Sequence, residues 1–217
     1  MAVRYPIHFK ALPILTPKGN PFEVPTLALK NSIEDEMRDL KAWPSKLTTQ
    51  TMTALALSAC DRIKGLRDAV IQGLLQNLET DLLLLWVNAP PALLQLQKEF
   101  WLPLVQKFNA EMEMDLHPVM TLSTPSVVSA LKLKNYLESL SDFQLVGLSH
   151  LEGLTHSLIL AVLAIKCGIS QVFEASELHE TFQRSLWGEE PLDMERSAQI
   201  QKEVEETLAF LGCLNAH

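Results

Sequence analysis

The apolar residues of this chain change their spacing early in the sequence, and this change limits the folds open to it. Ile7 and Phe9 alternate with His8 and with proline, which is the period of two expected for a half-buried strand. Further along, Leu29 and Ile33 recur at the interval of an amphipathic helix. The sequence therefore predicts an α+β fold, in which a small N-terminal β-meander with one helix precedes a larger, all-helical part.

Local start and stop signals divide this pattern further. Thr26 is predicted to be the N-cap of the first helix, because a threonine hydroxyl can accept a hydrogen bond from a free backbone N–H. Trp43-Pro44-Ser45 is predicted to break that helix. We therefore expect a β-rich domain over residues 1–44 and an all-helical domain over residues 45–217. Within the helical domain, Gly168 is predicted to end a helix.

A leucine- and tryptophan-rich stretch, TDLLLLWVNAPPALLQLQKEFWLPL, occupies residues 80–104. A membrane-spanning helix needs about 20 apolar residues, whereas Asn88 and the pair Pro90-Pro91 interrupt this stretch. We therefore expect no membrane insertion. The stretch is predicted to be a buried helix up to the proline pair, followed by a second helix that is bent or divided near Pro103.

Charge and cysteine content exclude several classes of function. The chain carries 26 acidic and 18 basic residues, a formal charge of -8, and its basic residues are dispersed, so a nucleic-acid partner is not expected. Cys60, Cys167 and Cys213 form no CxxC pair, which disfavours a disulfide framework or a zinc site and favours a reducing compartment. The residues before Tyr5 contain no apolar h-region, so we expect no signal peptide. We expect a bacterial cytoplasmic protein, or a mitochondrial matrix protein if the source is eukaryotic.

Recognisable catalytic motifs are missing from the sequence, since GxSxG, HExxH, P-loop and GxGxxG patterns do not occur. We expect no catalytic residue, no cofactor and no metal. One enzymatic alternative stays open, namely a small helical enzyme with an interdomain site built from Asp61, Arg62 and His156.

The segment Trp187 to Pro191, WGEEP, combines a large aromatic side chain with two acids between two predicted helices. This combination suits recognition of a partner protein, because a tryptophan can anchor an interface. It also suits a simple helix end, with a C-cap at Gly188 and acids at the start of the next helix. Both interpretations remain open from the residues alone.

Several stretches in a fixed order resemble the F1-ATPase assembly chaperones that hold the α subunit, the family also called ATP synthase F1 complex assembly factor 2. The segments that carry this resemblance are LTPKGNP at 15–21, VPTLAL at 24–29, MTALALSACDRI at 52–63, the stretch at 80–104, LEGLTHSLILA at 151–161, and WGEE at 187–190. Each segment is weakly specific, but the ordered series covers nearly the whole chain.

The resemblance implies a β-rich N-terminal domain followed by a helical one, and a chaperone that binds the unassembled F1 α subunit until the β subunit displaces it. It also implies that an acidic residue of the late Trp-Gly region matters. On this basis the partner-binding residues are predicted to be Trp187, Glu189, Glu190 and Asp193, in a protein that is a monomer and has no catalytic activity.

Overall fold

The computed structural model describes residues 4–43, 51–120 and 130–215, apart from Ile169 and Glu189. Short strands occur only near the start of these described ranges, and helices make up most of the remainder. The strands are β1 Tyr5–Pro6, β2 His8–Phe9, β3 Leu12–Pro13 and β4 Glu23–Val24. The helices are α1 Leu27–Glu36, α2 Thr51–Asp61, α3 Arg67–Asn77, α4 Pro91–Met112, α5 Leu131–Ser139, α6 Asp142–Thr155, α7 Leu158–Cys167, α8 Val172–Ser176, α9 Leu178–Trp187 and α10 Pro191–Asn215. This arrangement confirms the predicted α+β class.

Contacts within the chain group its residues into two units. The first comprises Met1–Val70, Leu140–Gly147 and Glu205–His217, and the second comprises Ile71–Ser139 and Leu148–Val204. The first unit therefore combines the N-terminal strands with short segments from later in the chain. The predicted boundary at residue 44 lies outside the described residues and stays a prediction.

The strands form the predicted small meander within the first unit. β1 pairs antiparallel with β4, and β2 pairs antiparallel with β3. Ile7 lies between the two pairs, where its N–H donates to Phe22 O at 2.9 Å and its carbonyl accepts from Ile14 N at 3.1 Å. Ile7 and Phe22 are both buried, so the segment that links these two two-stranded sheets contributes to the core, as the alternating pattern predicts.

The tip of the meander is fastened to the end of α2 by Asp61. The Asp61 carboxylate accepts hydrogen bonds from Thr16 Oγ1 at 2.7 Å, from Asn20 Nδ2 at 3.0 Å and from Lys18 N at 3.0 Å. Partial desolvation opposes ionisation, but these three hydrogen bonds favour the charged form and hold the pKa of Asp61 below its usual value. Asp61 thus has a structural role, and the turn Lys18–Asn20 is ordered by it.

Helix α1 begins as the sequence predicts. Leu29 N donates to the Thr26 hydroxyl at 3.2 Å, which is the hydrogen bond of an N-cap. The same hydroxyl donates to Cys213 O at 2.8 Å. At the other end of α1, the Glu36 carboxylate accepts from the backbone N–H groups of Met52 and Thr53 at 2.9 Å each and so satisfies the start of α2.

Helix α6 approaches α10 closely at Gly147, still within the first unit. A Cβ atom placed on Gly147 would lie 2.7 Å from Leu211 Cδ2 and 3.4 Å from Phe210 Cδ1. Both of these side chains are buried. The absence of a side chain at Gly147 therefore allows this contact.

In the second unit, the leucine-rich stretch is interior, as predicted, but its first part is not an α-helix. Leu82–Leu84 forms a single 3-10 turn, and the chain then runs extended, with Leu85 bridging Val119 in a parallel register. Trp86 N donates to Val119 O at 2.9 Å, and Val119 N donates to Leu84 O at 2.8 Å. These hydrogen bonds to a distant segment replace the local bonds of a helix.

The proline pair also differs from the prediction, since Pro91 is the first residue of α4 rather than only the end of an earlier helix. The fixed backbone angle of proline suits this position, where no intrahelical N–H bond is required. Helix α4 then continues without division past Pro103. Its buried face includes Trp101 and Phe108, and it packs against α7.

Candidate functional site

A pocket of about 380 Å³ opens within the second unit, between α9 and the first half of α10. The residues that line it come from the two helices and the turn that joins them, from the end of α6 and the residue after it, from the end of α8 and the residue after it, and from the 3-10 turn at Leu82. They are Leu82, Leu154, Thr155, His156, Ser176, Glu177, Glu180, Gln183, Arg184, Trp187, Gly188, Glu190, Asp193, Arg196, Ser197 and Ile200. Its volume falls in the range of sites that hold a small ligand or a side chain of a partner.

The turn between α9 and α10 depends on Gly188. Gly188 N–H donates to Arg184 O at 2.9 Å, which closes the last turn of α9. Its φ of 88° then reverses the chain, a conformation that glycine adopts without a steric penalty. The predicted helix end at Gly188 is therefore present, and the adjacent Trp187 is 78% exposed. The two interpretations of this segment are compatible, since a helix end presents an exposed aromatic side chain.

Glu177 connects the two walls of the pocket. One of its carboxylate oxygens accepts from Ser197 Oγ on α10 at 2.7 Å and from Arg184 Nη2 on α9 at 3.4 Å. Arg184 Nη2 also donates to Thr181 Oγ1 at 3.1 Å. Only 13% of the Glu177 side chain is exposed, so these contacts hold α9 and α10 at a fixed separation.

The carboxylates at the mouth of the pocket differ from Glu177, because Glu180, Glu190 and Asp193 are all exposed. Arg196 is the exposed basic residue among them. Because the charges of Glu177 and Arg184 offset each other, the remaining charged groups at the mouth are three carboxylates and one guanidinium. The pocket is therefore acidic at its opening.

Two exposed leucines lie next to this mouth in the sequence. Leu186 is 56% exposed and Leu192 is 78% exposed. Together with Trp187, they place three large apolar side chains around the turn at Gly188. These three residues lie within six positions of one another in the sequence and are the large apolar side chains exposed at this turn.

The floor of the pocket is held by a buried carboxylate. Asp81 accepts from Ser157 Oγ at 2.8 Å, from Ile159 N at 3.0 Å and from Leu83 N at 3.0 Å. It thereby caps the start of α7 and orders the junction at His156, whose carbonyl accepts from Leu82 N at 3.0 Å. Burial raises the pKa of Asp81 to about 6, although these hydrogen bonds favour the charged form.

Helix α9 is anchored on α4 by a histidine. Val87 N donates to Gln97 Oε1 at 3.2 Å, so the amide nitrogen of Gln97 faces His179 Nε2, 2.9 Å away, and donates to it. His179 also packs against Trp101 in a tilted arrangement, with 4.8 Å between the ring centroids and 37° between the ring planes. This hydrogen bond requires a neutral imidazole, and burial lowers the pKa of His179, opposed by the nearby charge of Glu180.

Three of the four residues predicted to bind a partner line this one pocket, namely Trp187, Glu190 and Asp193. Glu189 lies outside the described residues. Their role in binding stays a prediction. The prediction missed the opposite wall, although Glu177, the N-cap residue of α9, recurs at helical spacing with Glu180 and Arg184 on that helix, a pattern typical of one helix face.

The enzymatic alternative requires Asp61, Arg62 and His156 to form one site, but of these three only His156 lines the pocket described above. Asp61 is fixed by the meander turn, and both Asp61 and Arg62 belong to the first unit, whereas His156 belongs to the second. No group of three or more histidine, cysteine, aspartate or glutamate residues in the described ranges could hold a metal ion. None of the helices in those ranges is long and apolar enough to cross a membrane.

Comparison with known proteins identifies related chains. The family model of the ATP12 chaperone protein matches residues 2–109. The crystal structure of Atp12 from Paracoccus denitrificans superposes with a TM-score of 0.85 at 27% identity, covering 94% of this chain and 89% of that one. A point mutant of that protein matches with a TM-score of 0.85 at 28% identity, covering 94% and 88% of the two chains. A protein from Agrobacterium tumefaciens, at 22% identity and a TM-score of 0.88, shares the fold over 97% of this chain and 80% of its own.

Proposed function

Because this chain belongs to the ATP12 chaperone family, we propose that its client is the unassembled α subunit of F1-ATPase, which it keeps from aggregating until α pairs with β. The family consists of chaperones and not of enzymes, so its action is binding without chemical change. An α subunit without its neighbours exposes apolar surface, and exposed apolar surface promotes aggregation. A chaperone that covers this surface lowers the concentration of aggregating molecules.

The observation that carries the proposal is the exposure of Trp187 at the acidic pocket mouth. A tryptophan side chain removes roughly 150–250 Å² from water when it is covered, and tryptophans are enriched among the residues that dominate binding energy. In a free monomer this apolar area has no internal partner. We therefore propose that the client binds Trp187, Glu190 and Asp193, which line the pocket between α9 and α10, together with Glu189.

The proposal is tested first by capture of the client. Purified F1 α subunit, diluted from denaturant, is monitored by light scattering with and without an equimolar amount of this chain. We expect the chain to suppress scattering and to elute with α as a 1:1 complex, from which added β subunit releases it. If scattering is unchanged and no complex elutes, the α subunit is not the client.

The location of the surface is tested by Trp187→Ala, with Phe100→Ala as the matched control. Phe100 is an exposed aromatic residue of α4 in the same unit, at 56% exposure, and does not line the pocket. Loss of a central anchor typically costs about 2 kcal/mol or more, or about thirtyfold in Kd. We expect this loss for Trp187→Ala and less than a threefold change for the control. If the two substitutions weaken binding equally, the client does not bind at Trp187.

We place this action in the cytoplasm of a bacterium, or in the mitochondrial matrix if the source is eukaryotic. The free chaperone is proposed to be a monomer. Size-exclusion chromatography with light-scattering detection tests the second point, because a dimer would elute at twice the mass of 24.3 kDa.

A further inference from the structure

We propose that the pocket between α9 and α10 receives one arginine side chain of the client, with apolar client residues covering the leucines beside it. This inference deepens the proposed function and rests on it for the identity of the client. It specifies the chemistry of the partner segment, an arginine flanked by apolar residues.

The first argument is charge complementarity at the mouth. Glu180, Glu190 and Asp193 lie at the opening, all exposed, and Arg196 offsets only one of them. The remaining guanidinium of the pocket, that of Arg184, is already engaged by Glu177 and Thr181. The mouth therefore has an excess of hydrogen-bond acceptors that suits a donor carrying a positive charge.

The second argument is the position of the indole. Trp187 lines the pocket and is 78% exposed, so its ring is available to a ligand that enters beside it. A guanidinium packs favourably on a tryptophan face, and its planar array of N–H donors can contact carboxylates on two sides at once. The compact ammonium group of lysine matches this combination less well.

The third argument is the rigid frame of the pocket. The Ser197–Glu177–Arg184 contacts hold the two helices together, and the hydrogen bond from Gln97 to His179 fixes α9 on α4. A site that is already formed loses little entropy when a side chain enters it. The surrounding Leu186 and Leu192 then provide apolar area for the neighbours of that arginine.

The first test uses a peptide, so that it does not depend on the α subunit. Acetyl-Leu-Arg-Leu-amide is titrated into the full chain, and the indole N–H signal of Trp187, assigned with Trp187→Phe, is followed by NMR. The control peptide carries citrulline, the neutral isostere of arginine. We expect binding about fivefold or more tighter for the arginine peptide. Equal shifts with both peptides, or no shift with either, would overturn the proposal.

The second test uses the client. The double variant Glu190→Gln/Asp193→Asn is compared with Glu195→Gln, an exposed acid of α10 that does not line the pocket. We expect the double variant to bind F1 α about tenfold more weakly at low salt and with reduced salt dependence, and the control to match the wild type. If the wild type captures α and the double variant captures it equally well, the arginine site is refuted but the proposed function is not. If the chain binds the arginine peptide selectively but does not capture α, the proposed function is refuted but the arginine site is not.

Discussion

Substitution of Gly147 by alanine isolates the cost of overpacking at the contact between α6 and α10. The added Cβ atom would lie 2.7 Å from Leu211 Cδ2 and 3.0 Å from Leu211 Cγ, whereas carbon atoms attract one another at about 3.5–4.0 Å. Leu211 is 5% exposed and Phe210 is fully buried, so the leucine cannot rotate into solvent. The contact must therefore be relieved by movement of packed groups.

The magnitude follows from two opposing contributions. Overpacking of a well-packed core costs about 1–3 kcal/mol, and replacement of glycine by alanine in a helix gains about 0.5–1 kcal/mol. We expect Gly147→Ala to lower the free energy of unfolding by about 0–2.5 kcal/mol. Gly153→Ala on the same helix is the matched control, because no atom lies within 4 Å of its Cβ position, and it is expected to gain up to about 1 kcal/mol.

The assay is urea unfolding of both variants, followed by far-UV circular dichroism. The difference between them removes most of the helix-propensity contribution and leaves the overpacking cost, about 1–3 kcal/mol. In a background carrying Leu211→Ala, the Gly147→Ala change is expected to cost less, because the colliding atoms are absent. If Gly147→Ala is as stabilising as Gly153→Ala, the close approach of α6 to α10 is not a constraint on this fold.

Two further predictions concern pH. The pKa of Asp81 is raised to about 6 in the fold, so the folded state keeps a proton that the unfolded state has already released. The stabilisation of the fold by this proton, up to about 3 kcal/mol, is complete below about pH 4 and is lost as the pH rises through 6. Asp81→Asn is expected to remove this fall in the free energy of unfolding between pH 4 and 7, and an unchanged profile would contradict the assignment. The pKa of His179 is lowered in the fold, so the opposite sign applies, and stability is lost as pH falls below the ordinary histidine value of about 6.5. His179→Phe, which keeps a ring against Trp101, is expected to flatten that part of the urea-unfolding profile, because the buried group that must gain a proton is gone. A variant that is as acid-sensitive as the wild type would refute the assignment of this loss of stability to His179.

Where local signals decide the structure, the sequence was sufficient to predict it. Thr26 caps α1 and Gly168 ends α7 in the left-handed conformation, because each of these features depends on residues within one turn of the chain. The extended segment around Leu85 was predicted to be helical instead. Its partner, Val119, lies far away in sequence, and no periodicity within the leucine run reveals such a pairing.

The candidate site also has one part that local sequence signals predict and one part that depends on contacts between distant segments. The sequence identified the turn at Trp187 through an aromatic residue, a glycine and adjacent acids, which are neighbours in the chain. The prediction missed the opposite wall of the pocket, because this wall forms only where two helix faces meet. The spacing of Glu177 and Arg184 is typical of one helix face but does not indicate which element that face contacts. The hydrogen bond from Ser197 to Glu177 depends on tertiary packing, which a single sequence does not encode in any local pattern.

The distribution of the first unit along the chain has a consequence for biosynthesis. Its strands are made first, yet Thr26 bonds to Cys213 and the buried Phe210 and Leu211 come from the last helix. The first unit therefore cannot complete its core until Phe210, Leu211 and Cys213 have left the exit tunnel of the ribosome, long after its strands have been made. Until then the apolar surface that these late residues cover in the folded unit stays exposed on the nascent chain, and transiently exposed apolar surface favours aggregation.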